Sequence, residues 1–325
     1  MSQLAYEAPA DRGVIAMIRK TIFAATLAGL AAAAPLSAQI GVRATTSAPA
    51  SSSADNDVIV VQGQKKQIAK ALRDLIRPSG GAEQLARFED DICPLVAGMP
   101  RDWTTVLTRM IRDNVVAVGG KVAAVNPGKK CTVNAVVIFI DQPHELVAAL
   151  AEAEPDFFSM TPREMVYFTQ AKRPVTSWHV TDMRSRDGVE LASVGSLGGV
   201  PTDAKIVRQA SASRLYSNIR EDMLTGFVVI DRQATVGKSL RQLADLATMH
   251  LLLDVRQDAG AKDNGSILSL FEPRPADAPG PRSMSRFDRG ALAGFYTQRE
   301  NNRTASQQRE NIAEAIKRGA GEKKE

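Results

Sequence analysis

Phe227-Val228-Val229-Ile230-Asp231 and, after a short connection, Ser239-Leu240-Arg241-Gln242-Leu243-Ala244-Asp245-Leu246-Ala247-Thr248-Met249-His250-Leu251 place a short apolar run ahead of an amphipathic helix. The first run is rich in β-branched residues and too short for most helices, so it reads as a strand. Ser239 followed three positions on by Gln242 is a capping box. Leu240, Leu243, Ala244, Ala247 and Leu251 then recur on one face, the stripe a helix buries against a core. A strand feeding a helix is the unit of an α/β (α+β) domain, here expected to hold a small mixed sheet with packed helices.

The neighbouring sequence repeats this grammar. Upstream, Trp103, Val106, Leu107, Met110, Ile111, Val115 and Val118 recur at helical spacing, with Asp102 placed to cap and Gly119-Gly120 to stop the helix. Val133 to Ile140 reads as a buried strand. Helical patterns also run from Gln64 to Arg77, where Pro78 stops the pattern, and from Leu146 to Ala153. Thr161-Pro162-Arg163-Glu164 opens another with a capping box and Pro at the first helical position. Turn signals at Asp187-Gly188 and Gly198-Gly199 divide Val175 to Gln209 into short β-like runs, a meander. The chain is expected to form a single domain over 57–297, opened by an edge strand at Asp57 to Val61. The charged tail, 298–325, has only Ile312 and Ile316 as anchors and is expected to be loosely held or disordered.

The N-terminal part carries a different message. From Met17, Arg19 and Lys20 precede an apolar run to Ala34, and Leu36-Ser37-Ala38 offers a small residue before a cut between Ala38 and Gln39. The apolar stretch of about 15 residues is shorter than the roughly 20 that span a bilayer, so it reads as a cleaved signal peptide. Residues 1–38 are thus an upstream extension plus signal, and residues 39–56, rich in Ala, Ser and Thr, a disordered linker. The expected location is periplasmic or secreted, and no later window suits a transmembrane helix in the mature chain.

Composition then narrows the function. The net charge of +5 is spread over mixed charges without a basic block, so no nucleic-acid partner is expected. Aromatics make up only 5%, too few for a stacking platform. The two cysteines, Cys93 and Cys131, meet an oxidising compartment after export and are expected to form a disulfide.

The chemistry-bearing patterns are mostly bland. Gly237-Lys238-Ser239 resembles the end of a phosphate loop, but Arg232 stands where its first glycine belongs, so Ser239 reads as a helix cap. Gly195-Ser196-Leu197-Gly198-Gly199 lacks the residue that a nucleophile elbow sets between its first glycine and the serine, and it reads as a turn. His144, His179 and His250 lie in separate elements and none pairs with another at helical metal-ligand spacing. His250 and Asp254 have that spacing, but two ligands do not make a site. Trp178-His179 reads either as a pocket wall or as a core indole beside an exposed neighbour.

A family resemblance enters through the order of the last third. The strand at Phe227 and the helix at Leu240 are followed by Ser266-Ile267-Leu268-Ser269-Leu270-Phe271, then Met284-Ser285-Arg286-Phe287-Asp288, with Ala291-Leu292 and Phe295-Tyr296 closing. This resembles an uncharacterised family of exported proteobacterial proteins, itself similar to the zinc-dependent metzincin peptidases. In those peptidases a late Ser-x-x-Asp helix ending in Leu-Tyr packs under the zinc-binding helix. The resemblance implies a zincin-like fold and sets Ala244 and Thr248 at two zinc-ligand positions, with Asp245 at the general-base position. The third histidine and its glycine turn are missing.

That departure decides the chemistry expected. Catalytic zinc takes three protein ligands and an open water position, whereas alanine offers no donor atom and threonine a poor one. No metal and no cofactor are therefore expected. The reading is a non-catalytic binding domain, a pseudoenzyme on a metallopeptidase-like scaffold, with Trp178, His179, Asp245 and Thr248 as candidate pocket residues. Its partner would be an exported protein, a peptide or an envelope component. The alternatives are a secreted hydrolase or peptidase with a non-standard site near Trp178, His179 and Asp245, and a cell-envelope adaptor working through its basic tail.

Overall fold

The computed structural model describes residues 65–78, 83–124, 131–193, 195–197, 200–201, 205–206, 216–256, 259, 265–275, 278–299 and 301–321. The expected signal peptide, linker and Asp57 to Val61 strand lie outside the described residues. Among the described residues the α/β expectation holds: seven α-helices accompany a mixed four-stranded sheet.

The sheet is built from β1 (Pro94–Ala97), β2 (Ala135–Ile140), β3 (Val175–Ser185) and β8 (Ile219–Asp231), in the order β1-β2-β8-β3. Among the described residues between β3 and β8 lie four two-residue strands: β4 (Ala192–Ser193), β5 (Ser196–Leu197), β6 (Val200–Pro201) and β7 (Lys205–Ile206). β1, β2 and β8 run parallel, while β3 runs antiparallel to β8 and forms one edge. The meander expectation understated β3, and the short strand expected at Phe227 to Asp231 understated β8; the two run 11 and 13 residues. Their outer halves carry Asp182, Arg184, Arg220, Glu221 and Asp222, and this charge hides the strand pattern in the sequence. The register shifts between Val180 and Thr181, the mark of a β-bulge.

Helices cover both sheet faces. The helices are α1 (Lys65–Leu75), α2 (Arg101–Ala117), α3 (Pro143–Ala153), α4 (Pro162–Gln170), α5 (Leu240–Leu252), α6 (Arg286–Tyr296) and α7 (Ala305–Gly321). Alternation along the strands divides the core between the two faces. Ala135, Val137, Phe139, Val228 and Ile230 join the main core with α1, α2, α5, α6 and α7. Val136, Ile138, Phe227 and Val229 point the other way, toward α3, α4 and the 3₁₀ turn at Pro155–Phe158. β2 is buried throughout its first five residues because both of its faces are covered.

The expected caps hold at α4 and α5, where Thr161 with Glu164 and Ser239 with Gln242 make both reciprocal bonds of a capping box. Ser285 with Asp288 does the same for α6. α2 differs: Pro100 occupies the cap position without a side-chain bond, and Asp102 lies in the first turn, where its charge suits the helix dipole. Leu107, Ile111, Val115 and Val118 are buried as the stripe predicts, but Trp103 is 52% exposed because the first turn of α2 overhangs the sheet. Before α2, Gly98 adopts φ +86°, and a Cβ there would lie 1.8 Å from the Phe139 carbonyl oxygen, so only glycine fits.

The C-terminal expectation differs most. Residues 305–321 form α7, which buries Ala305, Gln308, Ile312, Ala313 and Ile316. Gly290 and Gly294 on α6 explain the docking, since a Cβ at either would stand 3.0–3.1 Å from Ile316 or Ala315. Gln308 fixes the register, accepting from Leu85 N at 2.7 Å and donating to Leu85 O at 3.1 Å. Two apolar anchors suffice here because glycines on the facing helix admit a close approach.

Cys93 and Cys131 are disulfide-bonded, 38 positions apart in sequence. Asn134 reinforces the junction, accepting from Cys93 N at 2.8 Å and donating to Asp91 O at 3.1 Å.

Candidate functional site

The positions that the resemblance equates with a zinc site lie inside the protein. Ala244, Asp245 and Thr248 are fully buried on the face of α5 that meets α2 and the chain before α6. Asp245 Oδ1 accepts from Asn114 Nδ2 at 2.9 Å and from Arg241 Nε at 3.0 Å, while Oδ2 accepts from Met284 N at 2.7 Å. Thr248 Oγ1 donates to Ala244 O at 2.7 Å and accepts from Asn114 Nδ2 at 3.1 Å. A buried carboxylate with three donors is a structural joint, here tying α5 to α2 and to α6. The set does not fit zinc: Ala244 has no ligand atom, and the oxygens of Asp245 and Thr248 are committed to protein donors.

Trp178 and His179 are adjacent on β3 and therefore face opposite sides of the sheet. Trp178 is fully buried, stacked between Phe158 at 4.8 Å and Phe227 at 5.0 Å, with Phe168 edge-on at 6.1 Å. It is the core of the α3/α4 side. His179 faces α5, as the short approach of its ring to Gly226 and its bond to Leu251 O show. The four candidate residues thus fall into three environments: Asp245 and Thr248 in one buried joint, Trp178 in the opposite core, and His179 on its own.

Both buried histidines are neutral. Burial holds the His179 ring below the ordinary histidine range and pushes His250 down to about 3, where Ser177 Oγ contacts its Nδ1 at 2.8 Å. His179 Nε2 meets the Leu251 carbonyl oxygen at 2.9 Å, so Nε2 carries the hydrogen and Nδ1 a lone pair. That Nδ1 is buried without a hydrogen-bond partner.

His179 borders a groove of about 1060 Å³ that follows β3. It is lined by Pro155, Asp156, Phe158 to Thr161 and Glu164, by Arg77, Arg173, Asp254 and Arg256, and by His179, Thr181, Asp182, Met183 and Glu221. Among the described residues β3 pairs with the single strand β8, and at its end Arg184 and Ser185 also meet Glu190 and Val189. Arg77 Nε bonds Asp254 Oδ1 at 2.7 Å, and Lys205 Nζ lies 3.7 Å from Asp182 Oδ1. Glu221, only 2% exposed, has its Oε2 buried without a partner. Burial pushes its carboxyl up to about 7; a bond from Thr181 opposes the rise, and the like charges of Asp182 and Asp222 add to it.

Sequence reasoning found His179 and missed Glu221. Arg220-Glu221-Asp222 has the look of a solvated charged turn, and only its position in the long strand β8, opposite Met183, brings Glu221 to the groove. A smaller cavity of about 400 Å³ lies between Tyr216 and the helices α6 and α7, walled by Arg299, Arg303 and Arg318. None of the buried unpartnered atoms belongs to its lining residues. Among the described residues no group of three or more His, Cys, Asp or Glu side chains is placed to hold a metal ion. No helix there is long and apolar enough to cross a membrane. Compared with protein-family models, curated proteins and solved structures, the chain has no significant match in any of the three.

Proposed function

We propose that this is an exported, periplasmic binding domain that takes an extended peptide segment as an added strand on the open edge of β3, on a metallopeptidase-like scaffold without metal chemistry. The observation that carries the reading is the edge position of β3, which among the described residues pairs with the single strand β8 and runs along the large groove. An exposed sheet edge offers a row of backbone donors and acceptors, and an extended chain satisfies them while its alternate side chains enter the flanking pockets.

Export is supported by the leader from Met17 and by the Cys93 to Cys131 disulfide, a pairing favoured by oxidising compartments. The zincin-like scaffold is supported by the late Ser285-to-Asp288 helix, which packs against α5 as the resemblance implies, with Met284 N bonded to Asp245. The absence of peptidase chemistry rests on the donor set of α5, which has no free ligand atom at the metal positions.

The test is selection from a random octapeptide display library, followed by titration of the best synthetic peptide and of derivatives N-methylated at each backbone position. Strand addition predicts that methylation at alternate positions abolishes binding while the intervening positions tolerate it. Uniform tolerance of N-methylation contradicts the mode. Cleavage of the selected peptide during the titration contradicts the non-catalytic reading.

A further inference from the structure

Resting on that reading, we propose that the groove selects a segment with a lysine or arginine side chain, seated on Glu221 and with a second hydrogen-bond donor close to His179. The fold leaves polar atoms beside this groove unmet. Buried polar groups in native proteins are almost always hydrogen-bonded, so each exception calls for a cause. Two such atoms belong to residues that line this groove, Glu221 Oε2 and His179 Nδ1, on side chains 2% and 3% exposed.

Both atoms are acceptors. His179 gives its one ring hydrogen to Leu251 O, which leaves Nδ1 as a lone pair. Glu221 takes a bond from Thr181, and the side-chain charges that act on it are those of Asp182 and Asp222, both of its own sign. Of the other groove carboxylates, Asp254 is engaged by Arg77, Asp182 by Lys205 and Glu164 by the cap at Thr161, while Asp156 is exposed and already solvated. Asp222, beside Glu221, is held by Arg220 at 2.9 Å. Glu221 is thus a buried groove-lining carboxylate on which no cation among the described residues acts, and a groove whose two buried unmet atoms both accept selects a ligand whose groups donate.

The spacing fits an added strand. His179 and Thr181 lie on one face of β3, two residues or about 7 Å apart, and Glu221 bonds to Thr181 from across the sheet. An antiparallel or parallel neighbour places its own alternate side chains on that face at the same interval. One ligand side chain therefore reaches the Thr181 and Glu221 position while the side chain two residues away lies at His179.

The experiment uses the peptide obtained by display selection and two synthetic series built on its backbone, with lysine or uncharged norleucine at the position facing Glu221. Dissociation constants are measured by fluorescence anisotropy for the wild-type protein and Glu221→Gln. Norleucine keeps the four-carbon side chain and removes the ammonium group with its charge and donors. The wild type is expected to prefer lysine by about 10- to 100-fold, the range of a charge-assisted bond to a buried partner, and Glu221→Gln to lose most of that preference while still binding norleucine peptides. Equal affinity for both series, or a preference that survives Glu221→Gln, overturns the selectivity and leaves strand addition standing. Failure of every peptide to bind overturns both. Thermal unfolding of Glu221→Gln at each pH used confirms that the comparison is between folded proteins.

Discussion

Glu221 gives the most searching test of the groove because it combines burial with an uncompensated charge. Its carboxyl is raised from 4.5 to about 7, so the folded protein keeps a proton that the unfolded chain releases. Below about pH 4.5 both states are protonated and the group costs nothing. Between 4.5 and 7 the unfolded state gains by releasing its proton, and stability falls as pH rises; above 7 both are ionised and the full penalty remains. At about 1.4 kcal/mol per tenfold step in proton affinity, the raised carboxyl accounts for about 3 kcal/mol. The perturbation is Glu221→Gln, which keeps the shape and the bond with Thr181 and removes the titration. Urea unfolding of both proteins at pH 4, 6, 7 and 8, followed by tryptophan fluorescence, isolates the effect, since every other titrating group is common to both. The variant should gain about 2 to 3 kcal/mol relative to wild type between pH 4 and pH 8. A difference that is flat with pH, or a variant less stable at pH 8, refutes the account of Glu221.

Four further outcomes are expected. Asp245→Ala leaves the Met284 N–H without its acceptor and removes one of the two bonds of the Asn114 amide, and it should cost about 3 to 5 kcal/mol in chemical denaturation; a near-neutral change would mean that Asp245 is not a structural joint. Breaking the disulfide with Cys93→Ser and Cys131→Ser together frees a 38-position loop and should cost about 4 kcal/mol, read as a lower urea midpoint that reducing agent no longer changes. His250 is held neutral down to about pH 3, so its contribution is present above about pH 6.5 and is lost as pH falls below that; His250→Gln should flatten the decline in stability between pH 6 and pH 4. Trp178→Ala opens a cavity among Phe158, Phe168 and Phe227 and should cost about 3 to 5 kcal/mol, whereas a tolerated substitution would place the indole outside the core.

Much of the architecture is legible in the chain because its signals are local. The capping boxes at Thr161, Ser239 and Ser285 each fix a helix start through a bond three residues away, and the β-branched run at Val136 to Ile140 has no competing helical period. The half of β8 near Phe227 is equally plain, while its half near Glu221 is not, because there Arg220, Glu221 and Asp222 interrupt the apolar pattern beside a groove. α7 escapes notice for a related reason: its docking depends on Gly290 and Gly294, residues of another helix. The site divides in the same way. Trp178 and His179 are neighbours in sequence, yet the pleat sends them to opposite cores, and Asp245 joins neither. Glu221 and His179, 42 positions apart in number, share one groove because β3 and β8 pair antiparallel.

Amide hydrogen exchange along β3, measured with and without the selected octapeptide, is the most direct check on the central claim. Edge pairing predicts slowed exchange at every second amide from Val175 to Met183, on the side turned from β8, with the amides bonded to β8 unchanged. Protection confined to the helices around Tyr216, or no change along β3 while the peptide is bound, contradicts it.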